Sequence, residues 1–168
     1  MDKLVIRSRK VAFMETGIDE FTRMKGFTNM ATNKNPEEYS RKYVDEDFET
    51  TDVVGMSTSI EYEFDLFEDN PVHKTLVDIS DKEKLGDDAV VDIVVVDFTE
   101  EDLVGGYKAV KRAFAVVPES DGDGTEAYTY GGSFKVKGER IEGVATSDDD
   151  WQTCIFVADV GDSGGVEG

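Results

Sequence analysis

The sequence contains very little cysteine, histidine and tryptophan. Its 168 residues include one cysteine, one histidine and one tryptophan. Cys154 has no partner for an internal disulfide, which is typical of a protein made in a reducing cytoplasm. A nucleophile of the Ser-His-Asp type would have to be built around His73 alone. We therefore expect no enzyme activity and no cofactor.

Positive charge and long apolar runs are also scarce. The chain has 38 acidic and 18 basic side chains, for a formal net charge of −20. Lys and Arg supply the affinity of proteins for nucleic acids and for anionic membranes, so the charge argues against both partners. Apolar runs such as Ile93–Val96 are far shorter than the roughly 20 residues that span a bilayer. The N-terminus has no apolar segment of signal-peptide length.

The charge is distributed unevenly along the chain. Residues 1–42 hold nine basic and six acidic side chains, whereas the remainder holds nine and 32. The basic part of one subunit could attract the acidic part of the next. The alternative is a solvated acidic surface with a less acidic N-terminal segment. Composition leaves both interpretations open.

Strand-like segments dominate the chain. Ser57–Leu66 is the clearest, because large apolar residues alternate with polar ones at a period of two. Gly138-Glu139 predicts a tight hairpin between two of the others. The polar face of Ser57–Leu66 carries Ser59, Glu61, Glu63 and Asp65. Further strands are predicted at Lys10–Met14, Phe21–Met30, Val90–Phe98, Tyr107–Val117, Tyr128–Lys137, Ile141–Thr146 and Trp151–Val157.

One short helix is predicted after Asn70-Pro71, which supplies an N-cap and a proline at the first helical position. Val72, Leu76 and Ile79 recur at helical spacing, and Gly86 would end the helix. About eight strands and one helix indicate a mainly β fold, a β-sandwich or barrel-like domain with a helix packed on it. We expect a single domain over residues 1–158, followed by a flexible tail at 159–168.

The segment Thr32–Val53 does not fit a compact sandwich. It is polar, and it is longer than the connections usual within a domain. It nevertheless carries large groups such as Phe48, and Tyr43–Thr51 is strand-like. We interpret it as a projecting arm or hairpin that a neighbouring subunit covers; the alternative is a mobile surface loop. The candidate contact residues are Asn35, Glu37, Tyr39, Arg41, Lys42 and Tyr43.

Two acidic segments are candidate calcium sites. Asp121–Glu126 resembles the start of an EF-hand loop, but neither possible register supplies both the required glycine and the bidentate acid. Ser147–Asp150 is typical of a solvated turn. Turns are the favoured interpretation of both, and weak calcium binding at either remains an open alternative.

Several segments occur in a distinctive order along residues 10–158. They are Phe21–Met30, the polar arm with Asn35-Pro36-Glu37, Val53–Phe67, Gly106–Ala113 and Gly132–Gly143. In this order the chain resembles the major tail tube proteins of long-tailed, siphovirus-like bacteriophages. The resemblance implies a tail tube fold whose copies form hexameric rings that stack into a hollow tube. The arm would then reach an adjacent ring.

The resemblance also implies a location and a set of partners. The protein would be made in the bacterial host cytoplasm and reside in the virion, in contact with tape measure, tail terminator and distal tail proteins. The genome would leave through the tube without specific binding. Ser59, Glu61, Glu63 and Asp65 are candidate channel-lining residues, because acidic side chains repel the phosphates of DNA. Lys111, Lys135 and Lys137 would make such a lining mixed, and ordinary solvent exposure is the alternative.

Two other classes of function remain open at this point. An adhesive β-sandwich that binds carbohydrate or protein would use Tyr128, Tyr130 and Trp151 as an exposed aromatic platform. An enzyme would need His73 and the acidic segment Asp148–Asp150 in one pocket. A clustered, exposed aromatic patch would support the adhesive class. A pocket that brings His73 and the acidic segment together would support the enzyme class.

Overall fold

A computed structural model describes residues 4, 9–102, 105–122 and 126–159. The predicted mainly β fold with one short helix is confirmed, although there are more strands than the sequence indicated. The predicted tail at 159–168 lies outside the described residues except for Asp159. In chain order the elements are β1 (Lys10–Gly17), β2 (Glu20–Arg23), β3 (Phe27–Asn33), β4 (Pro36–Arg41), β5 (Thr50–Met56), β6 (Ser59–Asp65), α1 (Pro71–Asp81), a 3₁₀ turn (Gly86–Ala89), β7 (Val90–Glu101), β8 (Tyr107–Asp121), β9 (Thr129–Val136), β10 (Ile141–Thr146) and β11 (Thr153–Ala158).

Six of the strands close into a barrel. The order is β8-β10-β11-β2-β1-β7, and the ring closes because β7 and β10 both pair with β8. Closure removes exposed strand edges around this ring. Cys154 is buried in the interior, and this burial raises the pKa of its thiol to about 12. The interior is filled by Phe13, Phe21, Val94, Val96, Ala109, Ala145 and Cys154.

Strand β8 belongs both to the barrel and to an extension of the sheet. Its first half pairs with β10 and its second half with β9, so that β9 and β10 lie end to end along one edge. The predicted hairpin at Gly138-Glu139 is therefore wrong. The N–H groups of Lys137 and Gly138 donate to the Ala113 carbonyl, and Arg112 Nε donates to the Gly138 carbonyl at 2.8 Å. These bonds keep the chain running along β8.

The extension continues from β8 through β9 and β6 to β3, and one of its faces packs against α1 and the outer wall of the barrel. Asn70 caps the helix, because its Oδ1 accepts the N–H of Val72 at 2.9 Å and of His73 at 3.2 Å. Val72, Leu76 and Ile79 are buried, and each contributes roughly 1.5–3 kcal/mol of burial free energy. No helix in the described residues is long and apolar enough to cross a membrane.

Two glycines mark places where the observed elements differ from the predicted ones. Gly26, at φ +78°, divides the strand predicted at Phe21–Met30 into β2 and β3. A Cβ at Gly26 would lie 2.9 Å from Cε1 of His73, so the histidine ring requires a glycine there. The helix ends at Asp81, before the predicted stop at Gly86, which begins the 3₁₀ turn at φ +60°.

We expect Gly26→Ala to lower the free energy of unfolding by more than Gly86→Ala does. Both positions require a left-handed backbone, which costs a residue with a side chain about 1–2 kcal/mol. A Cβ at Gly86 would meet nothing within 4 Å, whereas one at Gly26 would collide with His73. Urea unfolding of the two variants measures the difference. Equal losses would show that the histidine contact costs nothing to disturb.

Candidate assembly surfaces

Strand β6 has one buried and one accessible face. Glu61 and Glu63 are exposed and Asp65 is half-buried, while the residues between them are buried. Ser59 is only 6% exposed, and its Oγ accepts a hydrogen bond from Asn35 Nδ2 at 3.1 Å. Three of the four residues predicted to line a channel are therefore accessible in the single chain.

The acidic side chains of β6 lie among small and neutral neighbours. Glu61 pairs with Ala31 of β3 and Ser133 of β9, and Glu63 pairs with Gly131 of β9. Directly opposed residues share a face of the sheet. Lys135 is exposed beside the end of this row, opposite Ser59.

Lys111 contributes no charge to this row. It lies over the ring of Phe156, with Nζ 5.7 Å from the ring centroid. Phe156 belongs to the barrel strand β11. The accessible face of β6 is thus acidic, with Lys135 at its end.

The segment predicted to be an arm forms a hairpin that is a separate two-stranded sheet. Strands β4 and β5 pair with each other, and with no other strand of the described part of the chain. The predicted bounds are shifted, because residues 32–33 belong to β3 and the hairpin extends to Met56. The strand predicted at Tyr43–Thr51 is wrong over most of its length, since residues 42–49 connect β4 to β5.

The base of the hairpin is fixed to the body by Asn35. This residue has a left-handed backbone with φ +46°, which asparagine tolerates better than most residues. Its Nδ2 donates to the Ser57 carbonyl at 2.8 Å as well as to Ser59. The Ser57 N–H donates to the Lys34 carbonyl at 3.0 Å. The two ends of the hairpin are therefore held together where they leave the sheet.

Arg41 organises the polar side of the hairpin. Its Nη1 lies 2.7 Å from Asp52 Oδ2, and its Nε donates to Tyr43 Oη at 2.7 Å. The guanidinium also lies over the rings of Tyr39 and Tyr43, 5.1 and 5.5 Å from their centroids. The hydrogen bond to Asp52 raises the pKa of Arg41. Glu37 and Lys42, the other predicted contact residues of the hairpin, are exposed.

The hairpin exposes an unusual amount of apolar side chain. Val44 is fully exposed and Phe48 is 82% exposed, in the connection between the strands. Apolar patches of this kind mark interaction surfaces in soluble proteins. The contact residues predicted from the sequence do not include Val53, Val54 and Met56, although the run Val53-Val54-Gly55-Met56 next to a polar segment indicates an apolar patch. The exposed apolar residues of the hairpin are Tyr39, Tyr43, Val44, Phe48, Val53, Val54 and Met56.

His73 has a structural position. It is fully buried, and its Nδ1 accepts the Phe67 N–H at 3.0 Å while Nε2 bonds to the Lys25 carbonyl at 2.7 Å. Its ring stacks on Phe64 with the centroids 4.4 Å apart. Burial lowers the pKa of His73. Both ring nitrogens are occupied by backbone groups, so the enzyme alternative loses its base.

The acidic segment Asp148–Asp150 is a turn held by its own side chains. Asp149 Oδ1 accepts the Thr153 N–H at 3.0 Å, and its Oδ2 accepts the Thr153 hydroxyl at 2.7 Å. These bonds, together with one from Ser147, lower the pKa of Asp149 to about 2. The turn therefore matches the solvated turn predicted from the sequence. No group of three or more metal-ligating side chains lies together in the described residues.

The aromatic residues proposed as an adhesive platform do not form one. Tyr130 is buried, and its hydroxyl donates to the Asp81 carboxylate at 3.2 Å. Trp151 packs edge-on against Phe98 at the end of the barrel, with the centroids 5.0 Å apart. Only Tyr128 of the three is exposed.

Comparison with known proteins gives a likeness of fold. No protein-family model and no curated protein matches the sequence. Among solved structures, the chain is similar to the anti-feeding prophage cap, described as a tube terminating cap, with a TM-score of 0.51 and 12% identity over 86% of this chain and 94% of that one. A chain of the 6-fold symmetrised anti-feeding prophage baseplate gives a TM-score of 0.49 and 6% identity, over 84% and 97%. The similarity to the cap shows a shared fold.

We expect the protein to lose stability as the pH falls below 6.5, in part through His73. The folded chain holds this imidazole neutral with a pKa below its usual 6.5, so the unfolded chain takes up the proton first. The contribution of the neutral imidazole to the free energy of unfolding is therefore full above pH 6.5. Below pH 6.5 it falls by up to about 1.4 kcal/mol per pH unit until the lowered pKa is reached. His73 is the only histidine, so its NMR titration is unambiguous.

The control for this prediction is His73→Gln. The difference in unfolding free energy between the two proteins isolates the imidazole from the many carboxylates. A folded-state pKa at or above 6.5, or equal pH slopes between pH 7.5 and 5.5, would contradict the prediction.

Proposed function

We propose that this chain is a structural protein of a phage tail or phage-tail-like particle. Its copies self-assemble into hexameric rings that stack into a tube for passage of the genome. The observation that carries the proposal is the hairpin of residues 36–56, which is fixed at its base and exposes apolar side chains that its own body leaves uncovered. The fold likeness to a tube terminating cap supports the same assignment.

The energetics of the hairpin favour a repeated contact. Burying Val44 and Phe48 would supply roughly 3–6 kcal/mol together. Association of two molecules costs on the order of 4–15 kcal/mol before any surplus appears. One hairpin contact is thus marginal, whereas several contacts made at once between two rings reinforce one another. The apolar side chains of the hairpin can therefore hold copies together when the copies are first joined into rings, because several hairpins then bind at once.

The charge of the chain suits a channel that DNA passes through without binding. Each copy carries −20, and the accessible face of β6 presents Glu61, Glu63 and Asp65. Duplex DNA carries one negative charge per about 1.7 Å, so such a wall would repel it. In this proposal the tube contacts tape measure, tail terminator and distal tail proteins, and it resides in the virion.

A second candidate function is a cap that closes the end of a tube. The fold likeness to a tube terminating cap favours it specifically. A cap forms one ring on a pre-existing tube, whereas a tube protein continues to stack. Negative-stain microscopy of concentrated protein separates the two, because a cap gives single rings and a tube protein gives extended hollow tubes.

Replacement of residues 37–55 by Gly-Gly tests the role of the hairpin. We expect a folded protein that remains monomeric, because the hairpin pairs with no strand of the described body. Analytical ultracentrifugation and negative-stain microscopy measure the change against the unmodified chain. A wild-type protein that stays monomeric at every concentration would sink the proposed function, and tubes of normal length from the shortened chain would exclude the hairpin as the connector.

The acidic face of β6 is tested by Glu61→Lys combined with Glu63→Lys. We expect these substitutions to allow assembly and to slow release of the genome from particles, because lysine attracts DNA phosphates. The rate of DNA release measures the effect. Glu61→Gln with Glu63→Gln is the control that removes charge without adding attraction. Unchanged release from the lysine variant would mean that this face lies away from the channel.

A further inference from the structure

A groove with a volume of about 550 Å³ runs beside the base of the hairpin. Its walls carry five cationic and only three acidic side chains, in a chain whose net charge is −20. The groove is therefore a local excess of positive charge on an acidic molecule. The cationic residues are Lys10, Lys34, Lys108, Arg112 and Arg140.

The positive charge of the groove is only partly neutralised by its own acids. Lys10 lies 3.9 Å from Asp97, and Arg140 lies 3.4 Å from Glu142. Lys34 is exposed and takes part in none of the ion pairs of the described residues. Lys34 is therefore available at the rim of the groove to pair with a negatively charged ligand.

The floor of the groove is apolar. Val95 of β7 is 39% exposed, and Val110 of β8 is half-buried beside it. These residues are directly opposed in the β7–β8 ladder, so they form one continuous patch. An apolar floor between basic walls fits a segment that is both apolar and acidic.

The tip of the hairpin, residues 43–49, has this composition. Four of its seven residues are acidic and none is basic, and Tyr43, Val44 and Phe48 are exposed. None of its acids takes part in an ion pair among the described residues. The tip acids are Asp45, Glu46, Asp47 and Glu49.

The tip cannot fill the groove of its own chain while the hairpin is intact. Strand β4 has six residues, so the tip stands about 20 Å from the base at roughly 3.3 Å per residue. Lys34 and Thr58, which border the groove, lie at that base. The two complementary surfaces of one copy are held apart by a paired strand, and the occupant must come from elsewhere.

We propose that the hairpin tip of one copy docks into the basic groove of a second copy. Val44 and Phe48 would lie against the floor at Val95 and Val110, and the tip acids would face Lys34 and Lys108. The contact joins two different surfaces of the same protein, and a head-to-tail contact of this kind can repeat from copy to copy as a stack requires. This inference rests on the proposed function and identifies the receiving surface for its connector.

The test uses two charge-reversed full-length proteins. The tip variant carries Asp45→Lys and Glu46→Lys, and the groove variant carries Lys34→Glu and Lys108→Glu. In each variant alone the charge attraction at the contact is lost, because the tip variant has a tip with no net charge and the groove variant places glutamates opposite the tip acids. The association constant of either variant alone therefore falls by about tenfold or more. In an equal mixture, lysine tips meet glutamate grooves and the unmodified tips meet unmodified grooves. Sedimentation velocity and negative-stain microscopy are expected to show assembly only in the mixture.

The matched control is Lys74→Glu with Lys82→Glu, which makes the same charge change on two exposed residues, one within α1 and one at its C-cap. We expect it to assemble as the wild type does. Thermal unfolding of every variant establishes that each is folded.

The outcomes separate this proposal from the proposed function. If the wild type and the groove variant both form normal tubes, or if the folded variants fail to assemble on mixing, the groove is not the receiving surface although the tube function stands. If the wild type never assembles, the proposed function itself fails, and the docking of tip into groove fails with it.

Discussion

The fold depends on one long strand, β8, which carries backbone hydrogen bonds for two different structures at once. Its first half helps to close the barrel through β10, and its second half supports the extension through β9. The change occurs near Arg112 and Ala113, where the bonds to residues 137 and 138 carry the chain from one structure to the next. Two hydrophobic cores form on opposite faces of the barrel wall because of this shared strand.

The body built in this way leaves one element unsupported. The hairpin of β4 and β5 has internal bonds, including those of Arg41 to Asp52 and Tyr43, but no sheet to pack on. Its apolar tip is exposed while the core of the body is complete without it. The hairpin is ordered, and its apolar side chains are not covered by its own chain. In the proposed assembly a second copy covers them, and the basic groove has the charge and the apolar floor that the tip requires.

The sequence predicted the fold class and the helix because those depend on local patterns. The alternation in β6 and the cap at Asn70 are both visible within a few residues. The hairpin predicted at Gly138-Glu139 was wrong because a turn-like dipeptide does not show that the chain continues along β8, a strand distant in sequence. The groove could not be predicted at all, since Lys34 and Lys108 are 74 positions apart and only the packing of the extension against the barrel wall places them together. The tip acids were visible in the sequence, but their exposure was not.

The hairpin also determines the relative orientation of subunits that bind one another through it. It leaves the body at a single place, beside Asn35 and Ser57, and nothing in the rest of the described chain mirrors it. Subunits that follow one another through such a device all point the same way, so any column of them has polarity. One end of the column would expose unoccupied basic grooves, and the other end would expose unbound hairpin tips. Two chemically different proteins would be needed to terminate the two ends.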